Sequence, residues 1–204
     1  MVLTIVLITS LISIMAFYNP QLLNRLQFNA YDIRNRKQGW RFLTYGLVHA
    51  GWAHLAINMF VLWSFGRIVY NMYDYYFGLK GILYFLLLYI GGIMFSVLFD
   101  YGRHKNDPWY NAVGASGAVS AVVFASIILY PAGGIYLFFI PIEIPSPVFG
   151  ILYLIYSAYM ARRGKDNIGH DAHFWGAVFG VVITIAFKPV LFLYFFEELA
   201  NIFH

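Results

Sequence analysis

A serine flanked by small residues begins one of the long apolar runs of this 204-residue chain, in the order Gly114-Ala115-Ser116-Gly117. A serine hydroxyl can attack a carbonyl once a neighbouring base takes its proton. Ser120 and Ala121 extend the small face by another turn. Membrane helices also use small residues for close packing without any catalysis. Taken alone, this group favours packing over chemistry.

A histidine near the start of the last apolar run shares a helical face with two glycines. His173, Gly176 and Gly180 stand at i, i+3 and i+7, so they project from one side of a helix. A histidine on a close-packing face can reach a serine on the small face of another helix and act as a general base. A hydrogen-bonded core histidine explains the same spacing, and both interpretations stay open for this group alone.

A third polar group combines two histidines with an amide. His54 and Asn58 stand at i and i+4, and His49 precedes them by about one and a half turns. Donors of this kind can stabilise the negative charge that develops on an attacked carbonyl. An interhelical polar clamp or half of a metal site would use the same residues. A catalytic zinc usually has a carboxylate or third histidine, so we expect no metal.

The composition indicates that the elements holding these groups lie in a membrane. Hydrophobic residues make up 61% of the chain and charged residues only 11%, far below the roughly one quarter that is charged in soluble domains. The chain has no cysteine, which excludes disulfides and thiolate chemistry. Its thirteen Lys and Arg occur in short clusters between apolar runs, so nucleic-acid binding is disfavoured.

The apolar runs predict an all-α, polytopic membrane protein with a single domain over residues 1–204. We expect a retained first span over Met1–Tyr18 and a large structured loop at the membrane interface up to about residue 51. Five further apolar segments follow at about 53–70, 81–99, 113–130, 147–161 and 172–196. Six spans result if each segment crosses as a helix of about 20 residues. The short fifth segment is expected to borrow residues from 135–147, where glycines and prolines such as Pro141 also suggest a surface turn.

The three groups together resemble the rhomboid intramembrane serine proteases, in the same order and with matching local spacing. The family pattern has a tryptophan–arginine pair in the first loop and a histidine nine residues later, which here are Trp40, Arg41 and His49. The second-span motif matches His54 to Asn58, and the motifs around Ser116 and His173 match the fourth and sixth spans. The resemblance covers about residues 40–180.

The resemblance implies a six-transmembrane-helix rhomboid-like bundle that cleaves transmembrane protein substrates with a Ser116–His173 dyad and no cofactor. It also implies an oxyanion site made by His54, Asn58 and the Ser116 N–H. Substrate-proximal or structural roles would fall to Gly114, Gly117, His49, Trp40, Arg41, Gly176 and Gly180. The implied location is the cell (inner) membrane, with the amino terminus inside. The positive-inside rule favours the opposite orientation, because an inside amino terminus leaves about ten of the thirteen Lys and Arg outside.

One residue departs from the family pattern. Well-known rhomboids carry a tyrosine one helical turn after the serine, where it stacks on the base, whereas this chain has Ser120. Asp171 is expected to be a loop charge and not a third catalytic member. The polar run of Asp166, Asn167 and His170 fits either a substrate gate or a solvated loop, and the solvated loop is favoured.

Two other classes of function stay open. A rhomboid-like protein without activity could bind and escort membrane clients through the same polar cluster. A small transporter could bind a solute there, although neither inverted halves nor paired broken helices are visible. The sequence leaves the substrate and the oligomeric state undetermined.

Overall fold

A computed structural model describes residues 1–136, 142–164 and 169–201, and most of them are helical. The elements in chain order are α1 (Val2–Phe17), α2 (Pro20–Leu26), α3 (Ala30–Arg36), α4 (Arg41–Thr44), a 3₁₀-helix (Tyr45–Leu47), α5 (Trp52–Phe77), α6 (Lys80–Ser96), α7 (Leu98–His104), α8 (Ser116–Leu129), β1 (Gly134–Tyr136), β2 (Glu143–Pro145), α9 (Ser146–Arg163), α10 (His170–Phe187) and α11 (Val190–Asn201). The predicted turn residue Pro141 and the predicted polar residues Asp166 and Asn167 lie outside the described residues.

Helix α8 lies at the centre of the bundle, because all of its residues from Gly117 to Leu129 are buried. Its small residues let α10 approach to backbone contact. A Cβ atom built on Gly176 would lie 2.1 Å from the Gly117 carbonyl oxygen, and one on Gly180 would lie 2.2 Å from that of Ala121. Residues farther along α10 contact residues farther along α8, so the two helices run parallel.

Helices α6 and α9 run antiparallel to α8. A Cβ atom on Gly92 would lie 3.0 Å from the Ala121 side chain, whereas Ser96, farther along α6, reaches back to Gly117. In α9, Gly150 lies near Ile127, and Tyr153 bonds to Ser120 with 2.9 Å between the hydroxyl oxygens. The later residues of α6 and α9 thus meet the earlier residues of α8.

Helix α5 runs parallel to α8, since its early residue His54 lies beside Gly114 and its late residue Tyr73 bonds to Thr184 near the end of α10. Helix α1 is antiparallel to α5, with Val2 packed near Gly66. The starts of α5, α8 and α10 therefore meet the ends of α1, α6 and α9 at one end of the bundle, which we call the site end.

Three helical stretches are long and apolar enough to cross a membrane by length and composition: Trp52–Phe77, Lys80–His104 and His170–Phe187. The second stretch joins α6 and α7. Helices α1 and α8 are apolar but have 16 and 14 residues, which correspond to about 24 and 21 Å against a hydrocarbon core of about 30 Å. The described residues thus give a mostly helical fold with three candidate spans where the sequence predicted six.

Two predicted segments have different bounds in the structure. The segment predicted at 53–70 continues as α5 to Phe77 and ends at Gly78, whose φ of +56° no longer fits a right-handed helix. The segment predicted at 172–196 is two helices, since α10 ends at Phe187 and α11 begins after Pro189. Proline has no N–H for the helical ladder and clashes with the preceding turn, so a single helix over this stretch was a wrong prediction.

A small hairpin precedes α9, in the stretch where the sequence predicted a surface turn and extra residues for the fifth segment. Strands β1 and β2 pair antiparallel, with Ile135 opposite Ile144. Helix α9 begins at Ser146, one residue before the predicted start, and continues to Arg163. The prediction that the fifth segment borrows from 135–147 was therefore wrong for residues 135–136 and 143–145, which are strand, and the chain is not strictly all-α.

Candidate active site

Ser116 is the first residue of α8 and is half-buried. The N–H of Val119 donates to the Ala115 carbonyl oxygen at 2.9 Å and begins the helical ladder. The first N–H groups of a helix have no acceptor within it, and the helix dipole makes this end partly positive. The Ser116 hydroxyl therefore lies beside backbone donors that favour negative charge.

Gly114 forms the turn that leads into α8. Its φ is +111°, a value that L side chains rarely adopt. A Cβ atom there would lie 2.6 Å from Cε1 of His54, while the Gly114 N–H donates to the Tyr45 carbonyl oxygen at 3.0 Å. Glycine is required at this position both for the turn and for the close approach of the His54 ring.

His173 lies in the first turn of α10 and is half-buried. Its helix reaches α8 through Gly176, and the carbonyl oxygen of Ala172 would be 3.1 Å from a Cβ atom on Gly117. The first turns of α8 and α10 therefore adjoin. Ser116 and His173 thus lie in the adjoining first turns of the two helices.

His54 and Asn58 lie in the first two turns of α5, on the side that faces Gly114. His54 is half-buried and Asn58 is buried. The Asn58 side-chain amide donates to the His54 carbonyl oxygen at 2.9 Å. The structure thus places His54 next to the turn that precedes Ser116, and Asn58 one helical turn farther along α5.

His49 is fully buried between α1 and the same turn. Its Nε2 accepts the Ala115 N–H at 3.4 Å, so the proton of the neutral ring lies on Nδ1, 2.9 Å from the Ser13 hydroxyl oxygen. Ser13 in turn donates to the Leu47 carbonyl oxygen at 2.9 Å. Burial, with a smaller contribution from His54, lowers the pKa of His49 to about 3. His49 is therefore a neutral hydrogen-bonding link.

The predicted pair Trp40 and Arg41 lies in the first loop and not beside Ser116. The Arg41 guanidinium is buried, forms an ion pair with Asp32 at 3.2 Å, and donates to the carbonyl oxygens of Asn24 and Gln27 at 2.8 and 2.6 Å. Burial lowers the pKa of Arg41 although Asp32 opposes this effect. Arg41 thus ties three parts of the loop together, while Trp40 is 48% exposed.

Ser120, the departure from the family pattern, has a partner that the sequence did not reveal. Its hydroxyl forms a 2.9 Å hydrogen bond with the hydroxyl of Tyr153 from α9. The two residues are 33 positions apart, and no local spacing links them. A tyrosine hydroxyl therefore lies one turn below Ser116 even though position 120 is a serine.

The prediction that His170 belongs to a solvated loop was wrong. It is the first residue of α10 and only 5% exposed. Its ring meets His173 edge-on, with 6.0 Å between centroids, and meets Tyr156 of α9 in the same way at 5.6 Å. Asp171 is likewise part of α10, not of a loop, and forms an ion pair with Arg103.

Within residues 1–136, 142–164 and 169–201, no group of three or more His, Asp or Glu side chains is arranged to hold a metal ion. The groups assembled at the site end are a serine, histidines, an amide and backbone N–H groups. Their chemistry is that of proton transfer and hydrogen bonding to oxygen.

A family model described as the Rhomboid domain matches residues 36–189. The chain belongs to the rhomboid family. It is 26% identical to Rhomboid protease AarA of Providencia stuartii over 78% of this chain and 59% of that protein. It is also 29% identical to RHOMBOID-like protein 12, mitochondrial, of Arabidopsis thaliana over 69% of this chain and 44% of that protein. Rhomboid-related protein 2 of Mus musculus is 28% identical over 75% and 49% of the two chains.

The rhomboid relatives differ in what their names say and in length. One is named a protease, others are named rhomboid-like or rhomboid-related, and some are named mitochondrial. The chain spans about half the length of these relatives. The rhomboid family thus includes proteases, and membership in it establishes that this chain is a membrane protein without specifying which membrane.

Proposed function

We propose that this rhomboid is an intramembrane serine endopeptidase that cleaves transmembrane protein substrates. The observation that carries the proposal is the backbone contact between Gly117 and Gly176, which supports a working pair of Ser116 and His173. In this role Ser116 attacks the scissile carbonyl, and His173 takes the serine proton and returns it to the leaving amine. The histidine acts without a third acidic residue.

The proposed oxyanion site combines the Ser116 N–H with the side chains of His54 and Asn58. Their support is the position of α5 beside Gly114 and the free N–H groups at the start of α8. Because Gly114 has no side chain, the His54 ring can lie directly against the turn. The roles proposed for Arg41 and His49 are structural, in the first loop and beneath the turn, and Trp40 belongs to the same loop.

The proposed membrane arrangement has six spans, with α1, α8 and α9 crossing beside the three longer stretches. The alternation of helix directions supports this arrangement, since each of the six is antiparallel to its predecessor in the chain. Residues near the substrate's scissile bond must leave helical geometry, because a helix shields its own peptide bonds. The proposed location is the cell (inner) membrane, and the bacterial relative supports it.

Cleavage of a single-span reporter by the purified protein in liposomes tests the function. We expect product from the wild type and from Ser126→Ala, which removes another buried serine of α8, but none from Ser116→Ala or His173→Ala. Equal product from all four proteins would indicate a contaminating protease and contradict the assignment. Absence of product, together with absence of Ser116 labelling by a fluorophosphonate, would favour the client-binding function.

A further inference from the structure

The outward face of α5 carries a polar row that begins at the middle of the helix and continues towards its end. Ser64, Arg67 and Asn71 stand at i, i+3 and i+7 and so follow one face. Arg67 and Asn71 are exposed, and Ser64 is half-buried. Together with Trp63 and Ile68 they line a shallow groove of about 300 Å³. No role in proteolysis is assigned to this face.

Arg67 lies deep within the longest candidate span. At 1.5 Å per residue it is about 22 Å from Trp52 and about 15 Å from Phe77 along the axis. If the centre of the 26-residue helix lies within a few ångströms of the bilayer midplane, a hydrocarbon core about 30 Å thick includes Arg67. An exposed cation at such a depth is unfavourable unless an anion or water reaches it.

The protein supplies Arg67 with an aromatic neighbour but not with an anion. The guanidinium lies over the Trp63 ring, 4.9 Å from the centroid. Among the residues that the structure describes, no carboxylate lies within 4.0 Å of it. The next acidic residue along α5 is Asp74, about 10 Å farther along the axis. Water or an anion from outside the described residues therefore has to reach Arg67.

The row has the donors that a phosphate group requires. A guanidinium presents a planar fork of N–H groups that matches phosphate oxygens, and the amide of Asn71 and the hydroxyl of Ser64 add neutral donors. Exposed Tyr75 stands four residues after Asn71 and continues the polar face towards the end of α5 opposite the site end, while the neighbouring Asp74 carboxylate repels a phosphate at that end. A headgroup from that leaflet thus has a polar route to Arg67, and Ile68 offers an apolar edge for its acyl chain.

We propose that the outer face of α5 binds the phosphate of an anionic phospholipid, drawn from the leaflet opposite the site end. The lipid supplies the anion that the described fold lacks near Arg67. Its phosphate contacts Arg67 and Asn71, and its acyl chain follows Ile68 and Trp63. This binding site is independent of the proposed protease function, because it lies on a surface remote from Ser116.

Native mass spectrometry of the full chain in micelles tests the site, with phosphatidylglycerol compared with phosphatidylcholine. We expect one tightly bound phosphatidylglycerol on the wild type and at least tenfold weaker binding to Arg67→Gln and to Asn71→Leu. The matched control is Arg163→Gln, because Arg163 also lies over an aromatic ring, that of Tyr159 at 4.7 Å, but at the last turn of α9. It is expected to bind like the wild type.

Three outcomes would overturn the proposal. Equal phosphatidylglycerol binding by the wild type and both groove variants would remove the site from α5. Saturation of the same site by inorganic phosphate, with no preference for the lipid, would identify an ion site instead. A change of oligomeric state in Arg67→Gln without any change in lipid binding would indicate an acidic partner helix.

Discussion

Replacing Gly176 by alanine should separate the two helices that carry the proposed dyad. The added Cβ atom would lie 2.1 Å from the Gly117 carbonyl oxygen, whereas real Cβ atoms essentially never approach within 3.0 Å. The obstructing atom belongs to the backbone of buried α8, so no side chain can rotate away. Helices α8 and α10 would therefore have to separate locally by about 1 Å, as overpacked interiors do.

The cost of this separation can be compared with the gain from helix propensity. Overpacking destabilises by about 1–3 kcal/mol, and replacing glycine by alanine in a helix returns up to about 1 kcal/mol. A net loss of about 1–2 kcal/mol corresponds to a melting temperature lower by about 2–8 °C. A misplacement of about 1 Å between reacting groups can lower the rate by about 100-fold, so activity should suffer more than stability.

Thermal unfolding in detergent and reporter cleavage would be measured for Gly176→Ala and for two matched variants. Gly102→Ala in α7 meets no atom within 4 Å, and Gly91→Ala meets only the tip of the Phe179 ring at 2.5 Å. Both should keep most activity. Wild-type melting and cleavage in Gly176→Ala would refute the close approach of α8 and α10. A lower melting temperature with full activity would instead refute the pairing of Ser116 with His173.

Three further predictions concern the surroundings of the dyad. The pKa of buried His49 is about 3 in the fold and 6.5 in the unfolded chain, so acidification below pH 6.5 should lower the free energy of unfolding by up to about 1.4 kcal/mol per pH unit, down to about pH 3. A plot of the free energy of unfolding against pH should have a shallower slope for His49→Gln than for the wild type. Tyr153→Phe removes the hydrogen bond to the Ser120 hydroxyl and should lower the free energy of unfolding by about 1 kcal/mol. The double variant Tyr153→Phe/Ser120→Ala should lose less stability than the sum of the losses in the two single variants. His170→Ala should lower kcat with little change in KM, because the ring against His173 is lost, whereas His170→Phe should keep most of kcat; equal kinetics of both variants would contradict a positioning role.

The faces that meet inside the bundle could be predicted from spacing within single helices. Gly176 and Gly180 share a face because they are four residues apart, and the small residues of α8 form the surface against which they pack. Such periodicity needs no knowledge of the partner helix. It therefore identified which side of α10 is close-packed and which polar residues share that side.

Contacts between distant segments could not be predicted in this way. The bond between Ser13 and His49 and that between Ser120 and Tyr153 join residues 36 and 33 positions apart. The sequence around each hydroxyl is equally compatible with a hydrogen bond to water, to the backbone or to another helix. Burial of His170 depended similarly on α9, which supplies Tyr156.

Breaks within apolar runs were a different case, because a local signal was present. Pro189 interrupts the last apolar run and marks the boundary between α10 and α11. High hydrophobicity on both sides concealed it. The end of α5 at Gly78 was missed for the opposite reason, since the polar and aromatic residues after position 70 suggested an earlier end although a positive-φ glycine follows only after Phe77.

The distribution of charge explains how a polar site can persist inside an apolar bundle. The residue that precedes Ser116 is held by a chain of neutral groups that runs from the Ala115 N–H through His49 and Ser13 to a carbonyl oxygen. Ion pairs such as Arg103 with Asp171 lie nearer the surface, where water lowers the cost of charge. Buried ions at the turn would need compensating charge, and they would compete for the first N–H groups of α8. A neutral support leaves those donors available for the negative charge that the proposed reaction develops on the substrate oxygen.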